Sequence, residues 1–265
     1  MTTKKTVRKK PLVLLTNDDG FFSKGIEELA KNLDSLADIH IVAPAQEKSA
    51  TSLALTLHHP LRVKTIRKNV YAVSGTPADC VYMALQKLLP KKPALIISGI
   101  NAGPNLGQQD ISHSGTVAGA FQGTFLQIPS IAVSMARGKS KTFDFSYGAR
   151  ITRRVAEMIL SKGLPEGITL NINIPPPPFK GIRIVKLGEK RYNPEIYVKK
   201  DPRDRIYYWI GTGQPKAIGD SESDVMVIKR GYITVTPLHK DMTAFPCLQE
   251  DKIQHIIKAV KNENI

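Results

Sequence analysis

Cysteine is nearly absent from this chain of 265 residues: Cys80 and Cys247 are its only two. They have no metal-type spacing and are expected as buried thiols rather than a disulfide, which argues against a disulfide-stapled scaffold and a thiolate metal centre. Aromatics make up 6% of the residues, with one Trp, and no recognition-helix or RNA-binding aromatic signature accompanies them. No apolar run approaches the roughly 20 residues of a membrane-spanning helix. The G-x-G-x-x-G spacing of dinucleotide folds and the Lys-Ser/Thr ending of a phosphate-binding P-loop are both missing. Acidic residues are the minority charge, 23 against 38 basic ones, for a formal net charge of +15. That excess has three readings: nucleic-acid binding, attraction of anionic substrates, or a solubilising surface. The basic residues are spread along the chain, so nucleic acid is a permitted partner that no motif supports.

The remaining composition, 42% hydrophobic and 23% charged, is that of a globular protein able to bury a substantial core. Lys4, Lys5, Arg8, Lys9 and Lys10 form a basic start ahead of Leu12 to Leu15. The apolar stretch is too short for a secretion signal and runs straight into Asn17-Asp18-Asp19. Residues 1–10 are expected as a flexible tail on a cytoplasmic protein without a membrane partner, and residues 11–265 as a single domain. Within it, strands are expected at Pro11 to Leu15, Ile39 to Ala43, Ala94 to Ile97, Ile131 to Ser134 and Ile168 to Ile174. They alternate with helices at Lys24 to Leu36, from Pro77 through Leu88, at Thr116 to Phe125 and at Phe145 to Leu160. The alternation predicts an α/β fold: a Rossmann-like, mostly parallel sheet with helices on both faces. This core covers about 11–181. After Pro175-Pro176-Pro177-Pro178 the chain turns β-rich and basic, with Tyr192, Tyr197, Tyr207, Tyr208 and Trp209 over residues 182–212. The segment is either an extended arm contacting another subunit or a meander packed on its own core. A strand at Tyr232 to Thr236 and a helix near Ile253 to Val260 close the sequence.

Leu14-Leu15-Thr16-Asn17-Asp18-Asp19-Gly20 is the most informative stretch. An apolar strand ends in an amide, two adjacent carboxylates and a glycine. The carboxylates repel and are costly to desolvate unless a cation lies between them, and a hard divalent ion such as Mg²⁺ or Mn²⁺ suits carboxylate oxygens. Successive strand side chains point to opposite faces, so convergence requires a turn, which Gly20 permits. Ser98-Gly99-Ile100-Asn101-Ala102-Gly103-Pro104-Asn105-Leu106-Gly107 follows another strand and belongs at the same sheet edge. His113-Ser114-Gly115-Thr116 precedes a helix that Ser114 or Thr116 would cap. A helix start of this kind is also an anion site. An acidic pair, a glycine–asparagine loop and a hydroxyl-lined helix start together describe a phosphate-ester site. Asp18 or Asp19 could serve as base, and His113 is a leaving-group acid only by position. Aspartyl-phosphate enzymes use Asp-x-Asp, whereas here the aspartates are adjacent, which disfavours covalent catalysis.

These segments resemble the signature blocks of the SurE (survival protein E) family of nucleotidases. The matches include Asn17-Asp18-Asp19-Gly20, Ser98-Gly99-Ile100-Asn101 with Gly103, Asn105 and Gly107, and Ser114-Gly115-Thr116-Val117. Val42-Ala43-Pro44 with Ser49, Gly75-Thr76-Pro77-Ala78-Asp79-Cys80, Ser223-Asp224 and Thr234-Val235-Thr236-Pro237-Leu238 follow in family order. The resemblance implies a metal-dependent phosphatase of nucleoside 5′- and 3′-monophosphates. It implies metal ligation by Asp18, Asp19, Ser49 and Asn101, and phosphate contacts from Asn105, Ser114, Gly115 and Thr116. It also implies a homodimer or homotetramer with C-terminal elements, about 182–265, exchanged between subunits. Two departures concern one loop. Ala45-Gln46 stands where the family commonly has Asp-Arg, and Ala50 where glycine commonly follows the ligating serine.

Overall fold

A computed structural model describes residues 9–138, 142–211, 213, 215–218 and 220–254. Most of the basic tail and of the expected C-terminal helix lies outside the described residues. The strands and helices run in the order β1 (Leu12–Thr16), α1 (Lys24–Leu33), β2 (Asp38–Pro44), β3 (Val63–Arg67), β4 (Val70–Val73), α2 (Pro77–Met83), β5 (Leu95–Ala102), α3 (Gly107–His113), α4 (Gly115–Phe125) and β6 (Ser130–Met135). They continue as α5 (Phe145–Lys162), β7 (Ile168–Ile174), β8 (Gly181–Ile184), β9 (Glu189–Arg191), β10 (Ile196–Lys200), β11 (Ile206–Ile210), β12 (Lys216–Ile218), α6 (Asp224–Val227) and β13 (Tyr232–His239).

Nine strands form one sheet in the order β3-β4-β2-β1-β5-β6-β7-β13-β8. The β4-β2-β1-β5-β6-β7 run is parallel throughout; β3 on β4 and β13 on β7 are the antiparallel pairs. The period-two pattern of β1 explains the layering. Val13 and Leu15 enter one core with Ile26, Leu29 and Leu33 of α1 and Ala149, Ala156 and Ile159 of α5. Leu14 enters the other with Val42, Ile96 and Cys80 and Val81 of α2; Cys80 is thus buried as expected, whereas Cys247, expected to be buried, is exposed. Ile26, Leu29 and Leu33 are fully buried, contributing about 1.5–3 kcal/mol each. The fold is therefore α/β, with helices on both faces of a mostly parallel sheet.

Local chemistry sets the element ends. Thr76 and Asp79 form a capping box at α2 with Pro77 in its first turn, and Ser114 caps α4 by accepting from Val117 N–H at 3.0 Å. Thr116, the alternative cap, has another partner. The β5 strand runs further than its apolar stretch, through the glycine–asparagine segment to Ala102. Its register on β6 shifts between Ser98 and Asn101, and such an irregularity re-aims side chains beyond it. Four elements had no strong sequence signal: the β3–β4 hairpin, α3, β12 and α6.

The strand order reverses beside β1, with β2 on one flank and β5 on the other. Ligands in open α/β sheets sit at the carboxyl ends of such strands. Two-stranded β10–β11 has a different character, since all ten of its residues are exposed. It is an extended hairpin, whereas β8, at the start of the same basic segment, pairs with β13 in the main sheet. No helix among the described residues is long and apolar enough to cross a membrane.

Candidate active site

The chain turns immediately after β1. Asn17 organises the turn: its side-chain amide donates to Gly20 O at 3.0 Å and to Ser23 Oγ at 2.7 Å, while Gly20 N–H donates to Asn17 Oδ1 at 3.1 Å. Gly20 sits at φ +100°, a conformation that favours glycine. The turn places Asp18 inward, 6% exposed, and leaves Asp19 half-buried.

Asp18 lies at the bottom of the site. Its Oδ1 accepts from Thr116 Oγ1 at 2.5 Å, and its backbone oxygen accepts from Lys48 N–H at 2.8 Å. Burial is the main cause that pushes its carboxyl up to about 6; the Thr116 hydroxyl opposes this and the Asp19 charge adds to it. Asp19 is also raised, first by burial, against the Ala102 N–H that reaches its Oδ2 at 3.4 Å, and further by the Glu47 carboxylate.

Gly115 has a steric reason. A Cβ there would stand 2.8 Å from Asp18 Cβ, 3.0 Å from Asp18 Oδ2 and 3.1 Å from Lys48 O. Only glycine lets the start of α4 close onto the acid pair. Thr116 spends its hydroxyl on Asp18, and Ser114 spends its own on the cap.

The structure gathers Asp18, Gly115 and Thr116 in direct contact, with Asp19 next along the chain, the segment bearing Ser49 attached through Lys48 and the segment bearing Asn101 attached to Asp19 through Ala102. Ser49 is exposed, and its hydroxyl donates to Glu47 Oε1 at 2.6 Å. Asn101 donates its amide to Gly103 O at 2.8 Å. Asn105 lies further along the sheet edge, in a buried amide network. Its Nδ2 donates to Ser134 Oγ at 2.8 Å, its N–H to Asn173 Oδ1 at 2.8 Å, and its carbonyl accepts from Asn171 and Asn173, both at 2.9 Å. His113 is exposed at the end of α3.

Two contributors had no role assigned from the sequence, although Ser223-Asp224 is among the matched family blocks. Glu47 adds a third carboxylate near Asp19. Asp224, fully buried, accepts from Gly107 N–H at 2.8 Å and from Gly188 and Val225 N–H at 2.7 Å each, and so clamps the end of the glycine–asparagine loop. Its pairing crosses 117 positions, which no local pattern encodes. Among the described residues no group of three or more His, Cys, Asp or Glu is arranged to hold a metal. Any cation site here combines two aspartates with neutral oxygens. That donor set suits a hard ion.

Fold and site together define a doubly wound α/β protein with an oxygen-donor site at its topological switch point. The sequence pattern described as "Survival protein SurE" matches residues 13–194. A protein of Pelobacter propionicus named 5′-nucleotidase SurE is 44% identical over 240 residues, covering 89% of this chain and 96% of its own. A protein of Moorella thermoacetica with the same name is 42% identical over 247 residues, covering 90% and 94%. The crystal structure of the SurE protein from Aquifex aeolicus superposes with a TM-score of 0.80 at 38% identity, over 92% of this chain and all of that one. The chain belongs to the SurE family.

Proposed function

We propose that this protein is a nucleotidase, a phosphatase that hydrolyses nucleoside 5′-monophosphates, and 3′-monophosphates, to nucleoside and phosphate. The observation that carries the reading is the contact of the α4 start with the buried Asp18 of the Asp18–Asp19 pair, in a chain whose relatives are named 5′-nucleotidases.

Asp18, Asp19, Ser49 and Asn101 would hold Mg²⁺ or Mn²⁺. Bound there, the cation supplies charge neutralisation for phosphoryl oxygens and a more acidic water. Thr116 fixes the Asp18 carboxylate through its hydroxyl, and the Asp18–Asp19 pair offers the base that takes up the water's proton. Gly115 and Thr116 present first-turn N–H groups of α4 to the phosphate, backed by the helix dipole. Ser114 shapes that turn through its cap, and Asn105, held by Ser134, Asn171 and Asn173, would add a phosphate contact from the loop. The exposed hairpin supports assembly into a homodimer or homotetramer, and the reading places the enzyme in the cytoplasm with its nucleotide substrates.

The test is phosphate release from a panel of 5′- and 3′-nucleoside monophosphates with Mg²⁺, Mn²⁺ or excess chelator. Cation-dependent release abolished by chelator is expected. No release with either cation, together with salt-sensitive oligonucleotide binding, would replace the reading with that of a basic nucleic-acid-binding protein.

A further inference from the structure

The carboxyl edge of the sheet carries more than the acid pair. Loops leave it after β5, β6 and β7, and the chain returns to it ahead of β13. Together they enclose a cavity of about 540 Å³, a size usual for small-molecule sites, which span roughly 300–1,000 Å³. Its floor is a small apolar cluster of Leu106, Val225 and Ile228, with Ala136 and Ala217 packed against it. The walls are largely prolines. Arg137 and Lys229 are exposed at the rim, the Arg137 guanidinium lying 5.4 Å from the centre of the Phe143 ring. Lys190, the remaining cation, is tied to Asp110.

This cavity is joined to the candidate active site by one loop. Asn101 belongs to the acid-pair side and Pro104 lines the cavity, and three residues of chain span at most about 10 Å. The far end of the loop is held where Asp224 anchors Gly107 and the Asn171 and Asn173 amides anchor Asn105. At the near end Ala102 N–H reaches Asp19 Oδ2 at 3.4 Å, so the cavity adjoins the acid pair, within the reach of a nucleotide from its phosphate to its base. Its chemistry is also suited to that half of the molecule: an apolar floor for a flat heterocycle, and cations at the mouth for an approaching anion.

We propose that this cavity receives the nucleoside half of the substrate, with the base on the Leu106–Val225–Ile228 floor. The proposal rests on the nucleotidase reading. The lining contains no side-chain amide or carboxylate to read the hydrogen-bonding edge of a base. Obstruction should accordingly affect purine and pyrimidine substrates alike.

The experiment fills the cavity with Ala217→Trp, and more gently with Ala136→Val. KM and kcat are measured with saturating Mn²⁺ on adenosine and cytidine 5′-monophosphates and on ribose 5-phosphate, which carries the same ester without a base. The expected result is a nucleotide KM raised at least about tenfold relative to that of ribose 5-phosphate for the Trp variant, a loss of about 1.4 kcal/mol, and a smaller shift of the same sign for Val. Equal changes for all three substrates, or none, overturn the proposal. Equilibrium dialysis of adenosine alone reports on the cavity independently of hydrolysis. Binding by wild type that Ala217→Trp abolishes supports the proposal, and no binding, or equal binding by both, overturns it. Wild type that hydrolyses no nucleotide instead sinks the nucleotidase reading, while the adenosine result still decides the cavity.

Discussion

Two regions of this molecule hold residues on the wrong side of the solvent boundary, in opposite senses. At the switch point a carboxylate is 94% removed from water beside a second one. On the β10–β11 hairpin, Tyr208, Trp209 and Ile210 are 65%, 63% and 77% exposed. Exposed single apolar residues are ordinary, but a buried unpaired acid and a contiguous apolar hairpin are not. The proposed function accounts for each from outside the chain: a cation would satisfy the first, and a second copy would cover the other. The difference lies in what the partner must supply. The buried site asks for charge and fixes its geometry, whereas the hairpin asks for area.

Removing the charge at the first region is the sharpest way to break the comparison. Asp18→Asn should lower activity with either cation by about 10³-fold or more. The same change should stabilise the metal-free protein at pH 7. The native carboxyl titrates near 6 against an ordinary 3.8, so ionising it in place costs about 3 kcal/mol. Between these two values the native state retains a proton that the unfolded chain has lost. Metal-free wild type therefore loses stability as pH rises from about 4 to about 6. Cation binding tightens over the same window, by about tenfold per pH unit as one proton is displaced. Calorimetry in chelator and Mn²⁺ titrations at several pH values check all three; a melting temperature of Asp18→Asn below that of wild type in chelator would contradict the account.

Asp224→Ala tests whether the site depends on its clamp. Three backbone N–H groups would lose their acceptor in a fully buried position, for a cost of about 3 kcal/mol, visible in denaturant midpoint. Activity should fall even where the variant remains folded, and Asp224→Asn should recover part of both. On the other region, Trp209→Ser should weaken self-association about 30-fold, a loss of about 2 kcal/mol, measured by analytical ultracentrifugation. A wild type that sediments as a monomer would remove the basis for the comparison. The smallest effect concerns Ala50, which stands at φ +57° in the left-handed region. Ala50→Gly should raise thermal stability by up to about 1 kcal/mol, less the greater freedom of glycine in the unfolded chain. A loss of stability would show that the methyl group is used.

The sequence made the acid pair, the helix start and the layering legible because each is local. Asn17-Asp18-Asp19-Gly20 sits at the end of one apolar strand. Ser114 and Gly115 adjoin their own helix, and the continuous apolar run Leu12 to Leu15 marks a strand covered on both faces. The expected strand at Ile168 to Ile174 coincides with β7, and Phe145 to Leu160 falls within α5. Three features were not legible, for different reasons. The extension of β5 to Ala102 is imposed by pairing with β6 through glycine and asparagine, which carry weak strand propensity. The β3–β4 hairpin is polar and exposed on β3, so no apolar alternation marks it. Asn105, which the family resemblance assigns to phosphate, proves also to be a hub of buried amides. Its partners Asn171 and Asn173 reveal themselves only once β7 lies two strands from β5. The same holds for Ala50, whose departure from glycine could be noticed in the chain but whose backbone angle could not.

The Asp224 clamp has a consequence for how the enzyme comes into being. During synthesis the acid pair, the α4 start and the strands around them emerge early, yet the anchor of the glycine–asparagine loop is translated more than a hundred residues after the loop itself. A chain ended before Asp224 would still carry Asp18, Asp19 and the α4 start while lacking the acceptor that holds Gly107. On the nucleotidase reading, such truncated products are expected to be inactive.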